Sequence, residues 1–327
     1  MPKISIVIPA YNAEQTILET IKSVQQQTFT DFELIVINDG SKDRTLELLQ
    51  NVKDERLKIF SYENGGVSVA RNRGFSHTTG EFIAFLDADD LWTSDKLELQ
   101  LAALKQHPEA GIAYSWTYNM SETGALIHPV EPVFSGNVYA NLLLWNFISN
   151  GSNPLIRRQA IESVGEFDSS FSYCADLDFY LRLAARYLFV VVPKHQVLYR
   201  LSSGSMSSKL NTTKEEAIRA IEKAFGSAPP ELQHLKNRVL ANVCQYYAEV
   251  YLRDINSNAS NVNQVIENLW TAIRLHPQNL LSRYTQTLVI KVLLIRVLSP
   301  GIASHLLGFI SKIYRTPKPQ IQRSESF

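Results

Sequence analysis

The sequence has little cysteine. Cys174 and Cys244 are the two in 327 residues, far apart and in no CxxC spacing. That scarcity argues against a disulfide framework and a cysteine metal site, and fits a reducing compartment. Long hydrophobic runs are missing too. No stretch of about 20 uncharged apolar residues occurs, so no transmembrane helix is expected. The nearest candidate, Leu288–Leu298, is broken by Lys291 and Arg296. The apolar run Ile4–Ile8 is too short for a signal peptide, and Pro9 ends it. Net charge is also lacking: 32 basic residues balance 32 acidic ones, so bulk charge argues neither way about nucleic acid. Neither a Walker A pattern nor GxGxxG is present, which disfavours nucleoside-triphosphate hydrolysis and dinucleotide binding.

What the chain does have is an ordinary globular composition, 45% hydrophobic and 20% charged. Its length exceeds what one hydrophobic core comfortably supports, so a large domain with an appendage is expected. The first third alternates short β-branched runs with helical patterns. Strands are expected at Ile4–Ile8, Glu33–Ile37, Leu57–Ser61 and Glu81–Leu86. Helices are expected from Ala13 to about Gln27, at Lys42–Val52 and at Val67–Ser76, with Asn12 and Gln15 forming a capping box for the first. Such alternation implies a parallel sheet covered on both faces. Ligands of such sheets bind beyond the carboxyl ends of the strands. From about Gly111 to Ser208 the pattern is mixed and loop-rich, with one amphipathic helix at about Asp176–Tyr187. Beyond Asn211 it reads as helical throughout, with runs at Lys214–Phe225, Glu231–Arg253, Val262–Leu275, Leu280–Leu298 and Ala303–Tyr314. The expected organisation is therefore an α/β domain over residues 1–210, in halves 1–110 and 111–210, and an all-helical region over 211–327.

Polar residues follow the strands where ligands are expected. Strand 1 ends in Pro9-Ala-Tyr11-Asn12, strand 2 in Asn38-Asp39-Gly-Ser41 and strand 4 in Asp87-Ala88-Asp89-Asp90. Asp39 has two readings, a carboxylate for a base or ribose or a plain Asp-Gly turn with Ser41 capping the next helix. Asp87, Asp89 and Asp90 crowd three carboxylates into four residues after a buried-looking run. A divalent cation relieves that repulsion, and hard oxygen ligands suit Mg²⁺ or Mn²⁺. The alternative is a solvated loop with Asp90 or Asp95 capping the following helix. Gly65-Gly-Val-Ser-Val-Ala-Arg71-Asn-Arg73-Gly74 reads as a glycine turn entering a helix, whose amides and Arg71 suit an anion. Arg73 reads as an ordinary exposed arginine.

These motifs, as an ordered set, resemble family 2 glycosyltransferases, inverting enzymes with the GT-A fold. The resemblance covers about Ile4 to Ser208. It implies a Rossmann-like α/β domain that binds a nucleotide-diphosphate sugar, with UDP as the expected nucleotide. It implies that Pro9, Tyr11, Asn12, Asp39, Arg71 and Ala88 line the nucleotide, with Asp39 on the base. It makes Asp87 and Asp89 the DxD element, with Asp89 the principal ligand of Mg²⁺ or Mn²⁺. Cys174-Ala-Asp176-Leu-Asp178 aligns with the family's later motif and puts Asp176 in the catalytic-base position. Helix geometry agrees, because residues two apart point about 200° from each other and cannot both face one sugar. Asp178 has Arg182 four residues on, a structural ion-pair spacing, while Asp176 has no such partner. Two departures stand out. Ala175 replaces the usual glutamate, and Ser202 stands where a histidine is common. Arg200, just before Ser202, is expected to donate to phosphate; a serine-rich link is the other reading of that stretch.

From Trp270 onward Arg274, Arg283, Lys291, Arg296, Lys312, Arg315, Lys318 and Arg323 face one acid, Glu325. Basic residues interleaved with Leu, Ile and Val suggest peripheral contact with an anionic membrane surface. A soluble bundle with a basic exposed face is the alternative. The expectation is a cytoplasmic enzyme, at the membrane's cytoplasmic face, acting on a glycan or lipid-linked acceptor and not on nucleic acid. The rival from another class is a non-catalytic nucleotide-sugar binder with a helical interaction module.

Overall fold

The computed structural model describes residues 1–201, 210–253 and 261–297. The expected helix Ala303–Tyr314, the segment Ser202–Ser208 and the last four basic residues lie outside the described residues. The chain divides into two compact units, Met1–Ser208 and Lys209–Phe327.

The first unit opens with β1 (Ile4–Ala10), α1 (Ile17–Gln25), β2 (Phe32–Asp39), α2 (Thr45–Gln50), β3 (Leu57–Tyr62), α3 (Val67–Ser76) and β4 (Phe82–Phe85). β1, β2 and β4 are buried along their whole length, which is why they read as continuous apolar runs. β1 pairs in parallel with β2 and β4, and β2 with β3. The expected α3 has the bounds observed, whereas α1 starts later than expected. Asn12 is not its cap. It adopts a left-handed φ of 49°. Its side-chain oxygen accepts the Lys42 N–H at 2.8 Å and its own N–H donates to Ser41 Oγ at 3.0 Å. Asn12 thus ties the loop after β1 to the loop after β2, and Thr16 takes the N-cap place with no side-chain cap bond.

The unit continues with β5 (Leu91–Trp92), α4 (Lys96–Gln106), β6 (Ala110–Ser121), β7 (Leu126–Val130), α5 (Tyr139–Leu144), β8 (Leu155–Arg157), α6 (Arg158–Val164), α7 (Ala175–Ala184) and β9 (Leu188–Leu201). Together the strands form a nine-stranded sheet in the order β3-β2-β1-β4-β8-β6-β9-β5, with β7 beside β6. β8 runs antiparallel to β4 and β6, and β6 pairs in parallel with β9. This is the expected GT-A type of α/β fold, but the loop-rich reading of its second half misses two long strands. The reason is physical. Ser115, Thr117 and Gln196 are polar yet buried, so the alternation that marks a strand is lost. The β6–β9 register also slips between Ser115 and Thr117.

The main core lies where Ile4, Ile6, Ile8, Leu34 and Val36 meet helical side chains such as Ile21, Leu97 and Leu101. On the opposite face α3 packs flush against the sheet. A Cβ on Gly74 would sit 2.2 Å from Val7 Cγ1 and 3.2 Å from Ile37 Cγ1, so glycine permits the close approach.

The second unit is helical, as expected: α8 (Leu210–Ser227), α9 (Pro230–Gln233), α10 (Lys236–Arg253), α11 (Asn261–Leu275), a 3₁₀ turn at Pro277–Leu281 and α12 (Arg283–Val297). The run expected as one helix at Glu231–Arg253 is divided into α9 and α10. Small buried Ala241, Cys244 and Ala272 let α10 and α11 pack closely. Both cysteines are free and buried. No described helix is long and apolar enough to cross a membrane.

Gly74→Ala forces an extra methyl between α3 and β1. The expected loss is about 1–3 kcal/mol, read as a lower urea midpoint at unchanged slope. An unaltered midpoint would contradict the close packing.

Candidate active site

Because β1, β2 and β4 run parallel, the loops after them open on one edge of the sheet. Pro9 is buried within β1, Tyr11 is 50% exposed and Asn12 is exposed. Asp39 ends β2 and is buried. Its carboxylate accepts the Gly65 N–H at 3.0 Å, the Gly66 N–H at 2.8 Å and Arg73 Nη1 at 3.0 Å. Asp39 therefore shapes the turn that starts α3, where Gly66 holds a φ of 85° that favours glycine. Arg73 is not the unattached surface arginine expected. Besides pairing with Asp39, it donates to the Glu63 carbonyl and packs over Tyr62 at 4.7 Å.

The loop after β4 separates its carboxylates by environment. Asp87 Oδ1 accepts Arg71 Nη2 at 2.6 Å. Arg71 is 4% exposed, packs 5.1 Å over Phe167, and its Nε has no hydrogen-bond partner among the described residues. Asp89 is half-buried; burial, reinforced by the Asp87 charge, raises its pKa to about 6. Asp90 is fully buried, and burial followed by Asp89 and Asp87 pushes it up strongly. Its Oδ2 accepts Ser152 Oγ–H at 2.5 Å and its Oδ1 the Arg200 N–H at 2.9 Å. Neither Asp90 nor Asp95 caps α4 through its side chain: Asp95 is the N-cap residue but makes no cap bond. Asp95 thus takes the N-cap place that the solvated-loop reading offered it, while the burial of Asp90 departs from that reading. Ala88 is nearly buried, and its carbonyl accepts Thr16 and Thr20 hydroxyls at 2.8 and 2.9 Å.

Asp176 sits in the first turn of α7 and is half-buried. One oxygen accepts the Leu177 N–H at 2.8 Å. Burial raises its pKa; Arg71 opposes the shift and Asp87 adds to it. Those interactions bring Asp176 into one electrostatic neighbourhood with Asp87 and Arg71. Asp178 is buried and pairs with Arg182 at 2.9 Å, the helical ion pair its spacing predicts. Ala175, in the place of the usual glutamate, is buried.

Arg200 departs from its expected role as a phosphate donor. It is 7% exposed. Its Nε donates to the Asp89 carbonyl at 2.8 Å, Nη1 to the Glu122 carbonyl at 2.9 Å and Nη2 to Glu19 Oε2 at 2.7 Å. The guanidinium braces the loop instead of projecting from it. Sequence reasoning did not foresee that Ser152 serves the Asp87 loop, where its Oγ accepts the Asp87 N–H at 3.0 Å. Its only local signal is the polar, glycine-containing run ahead of Pro154.

Among the described residues no group of three or more His, Cys, Asp or Glu is arranged to hold a metal by itself. Asp87 and Asp89, both half-buried on one loop, are the carboxylates that could share a divalent ion with a substrate. Mg²⁺ commonly takes one or two carboxylates and fills its remaining positions with substrate phosphates and water.

The fold has counterparts among solved structures. Staphylococcus aureus TarS residues 1–349, solved with UDP-GlcNAc, matches with a TM-score of 0.63 at 20% identity, over 85% of this chain and 82% of that one. The mannosyltransferase PcManGT of Pyrobaculum calidifontis, solved with GDP-Man and Mn²⁺, matches with a TM-score of 0.59 at 16% identity, over 97% of this chain and 88% of that one. These likenesses define the class of fold, that of GT-A glycosyltransferases. Residues 5–249 match the model of the glycosyltransferase like family 2, and the chain belongs to that family. An uncharacterized glycosyltransferase of Haemophilus influenzae is 30% identical over 237 residues, 68% of this chain and 72% of the relative. The UDP-Glc:alpha-D-GlcNAc-diphosphoundecaprenol beta-1,3-glucosyltransferase WfgD of Escherichia coli is 42% identical over 102 residues, 31% of this chain and 40% of the relative. An uncharacterized glycosyltransferase of Rickettsia conorii is 41% identical over 145 residues, 43% of this chain. The chain spans 24% of that relative's length.

Asp39→Ala strips the acceptor from two backbone amides and removes the carboxylate partner of the partly exposed Arg73. The expected loss is about 1–3 kcal/mol by chemical denaturation. A loss under about 1 kcal/mol would mean that water replaces the carboxylate without penalty.

Proposed function

We propose that the chain is an inverting, metal-dependent glycosyltransferase of the hexosyl-transferring type. It moves a sugar from a nucleotide-diphosphate donor to a hydroxyl of a glycan or lipid-linked acceptor, in surface-polysaccharide or glycolipid synthesis. The observation that carries this reading is the buried Arg71–Asp87 ion pair, with Asp89 two residues on in the same loop and Asp176 of α7 in electrostatic reach of both partners. Family membership supports it, and so do the printed activities of relatives. WfgD is named as a glucosyltransferase on a diphosphoundecaprenol-linked sugar, and TuaG of Bacillus subtilis as a putative teichuronic acid glycosyltransferase. UDP is the nucleotide favoured by WfgD and TarS; the likeness to PcManGT makes GDP the second choice to test.

In this reading Pro9, Tyr11, Asn12 and Asp39 line the nucleotide, Asp39 by way of the turn it shapes and its remaining acceptor capacity. Arg71 and Ala88 border the diphosphate. Asp89, with Asp87, would hold Mg²⁺ or Mn²⁺, which would supply positive charge to a nucleoside diphosphate leaving group. Asp176 removes the acceptor hydroxyl proton. The acceptor oxygen bonds to the anomeric carbon as the bond from that carbon to the diphosphate breaks, which inverts the centre. A base needs a raised pKa and proximity to the proton it takes, and partial burial supplies the first.

We also assign the helical unit to an anionic lipid surface at the cytoplasmic face. Arg274, Arg283, Lys291 and Arg296 accompany exposed Trp270, Leu280, Leu281, Ile290 and Leu293, with no acid between Trp270 and Arg296. Sedimentation with phosphatidylglycerol vesicles, lost in high salt and absent with phosphatidylcholine, is the expected result. Equal recovery with neither vesicle type would contradict it.

The functional test is a panel of UDP- and GDP-sugars with Mn²⁺ or Mg²⁺, reading released nucleoside diphosphate with and without a polyprenyl-diphosphate-sugar acceptor. One donor should turn over, and Asp89→Ala and Asp176→Asn should each lose about 100-fold or more. Donor binding without turnover in any arm would leave a nucleotide-sugar binder. Asp176 acts deprotonated, and its pKa is raised, so kcat/KM should fall as pH drops through a value above the ordinary aspartate range near 4. An acid limb at or below that range would remove Asp176 as the base.

A further inference from the structure

Asp87, Asp89 and Asp176 act together only if two distant parts of the chain, the loop after β4 and the start of α7, are held at a fixed spacing. Both are held by the segment Asn150–Asn153, which lies between α5 and β8. Ser152 is fully buried. Its Oγ accepts the Asp87 N–H at 3.0 Å and donates to Asp90 Oδ2 at 2.5 Å, while its carbonyl accepts Trp92 Nε1–H at 2.8 Å. One hydroxyl therefore grips both ends of the Asp87–Asp90 loop. Two residues earlier, the Asn150 carbonyl accepts the Tyr180 hydroxyl of α7 at 3.0 Å, one helical turn from Asp176. Gly151 between them lies against the Arg71–Asp87 pair; a Cβ there would be 2.4 Å from Arg71 Nη2 and 3.2 Å from Asp87 Oδ2.

The segment has its own foundation. The Asn153 amide accepts the Ser115 N–H and donates to the Ser115 carbonyl, both at 2.8 Å, where the β6–β9 register slips. It imitates a neighbouring strand and anchors the segment to the sheet. Ser115, Asn150, Ser152, Asn153 and Tyr180 are all buried, and a satisfied buried network holds a single geometry because breaking any one bond leaves a desolvated polar atom.

We propose that Asn150–Asn153 is a positioning element for the transfer reaction. Ser152 sets the metal-side carboxylates and Tyr180, through the Asn150 carbonyl, sets the base-side carboxylate, so one rigid segment fixes the distance between them. Ser152 and Tyr180 are positioning residues and touch neither substrate. The inference rests on the transfer reading above.

The test uses the full chain with Ser152→Ala and Tyr180→Phe, each of which removes one hydroxyl. Both variants should fold and keep the donor KM within about threefold, while kcat falls about tenfold or more, since small misplacements of reacting groups are costly. Mn²⁺ titration followed by electron paramagnetic resonance should weaken in Ser152→Ala and stay unchanged in Tyr180→Phe. Hydrogen exchange should quicken at residues 87–90 only in Ser152→Ala. A wild type that turns over, beside variants with unchanged kcat, would sink the positioning role and leave the transfer reading intact. Losses in kcat and KM that merely track lowered thermal stability in both variants would sink it as well. A wild type without turnover removes the transfer reading. The positioning role then falls with it unless the Mn²⁺ and exchange results still divide the two variants.

Discussion

Like charges gathered at one sheet edge constrain everything around them. Asp87, Asp89 and Asp90 follow β4 within four residues, and Asp176 joins their electrostatic neighbourhood from α7. Two unit charges about 4 Å apart repel by about 4 kcal/mol in surroundings of intermediate polarity. The fold answers that repulsion residue by residue. Arg71 pairs with Asp87, Asp90 turns inward to Ser152 and the Arg200 N–H, and the side chains of Thr16, Thr20 and Arg200 donate to the carbonyls of the loop. Asp89 is left half-buried with a raised pKa. Under the proposed function, a cation delivered with a diphosphate would offset what the protein leaves uncompensated there.

The glycines and braces around the edge follow from the same constraint. Gly74 brings α3 against β1, which carries Arg71 to the edge. Gly151 leaves room for the guanidinium beside Asp87. Arg200 reaches back from β9 to Glu19 near the start of α1, so the strand that precedes Ser202 is locked to the same loop. Each contact trades a small local cost for a fixed placement of carboxylates that would otherwise separate.

Much of the nucleotide-side half was legible in the sequence. Strands buried on both faces appear as unbroken β-branched runs, and polar groups after them mark a ligand edge. The ion pair of Asp178 with Arg182 follows from helical spacing alone. Long-range polar partners were not legible. Arg73 looked like a surface residue because Asp39, its partner, is 34 positions away. Arg200 looked available to phosphate because the carbonyls of Asp89 and Glu122 that receive it carry no sequence signature. Asn12 resembled a helix cap, yet its side chain serves the Lys42 amide across the edge. β6 and β9 were obscured because Ser115, Thr117 and Gln196 are buried polar residues, which a binary pattern reads as loop.

Under the proposed function, leaving-group stabilisation belongs to Asp89 and proton removal to Asp176. A crystal structure of the chain with a non-hydrolysable nucleotide sugar and Mn²⁺ tests this most directly. The expected result is Mn²⁺ held at Asp89, with the anomeric carbon facing the Asp176 carboxylate. Mn²⁺ and diphosphate bound away from Asp89, or Asp176 turned from the sugar, would contradict it.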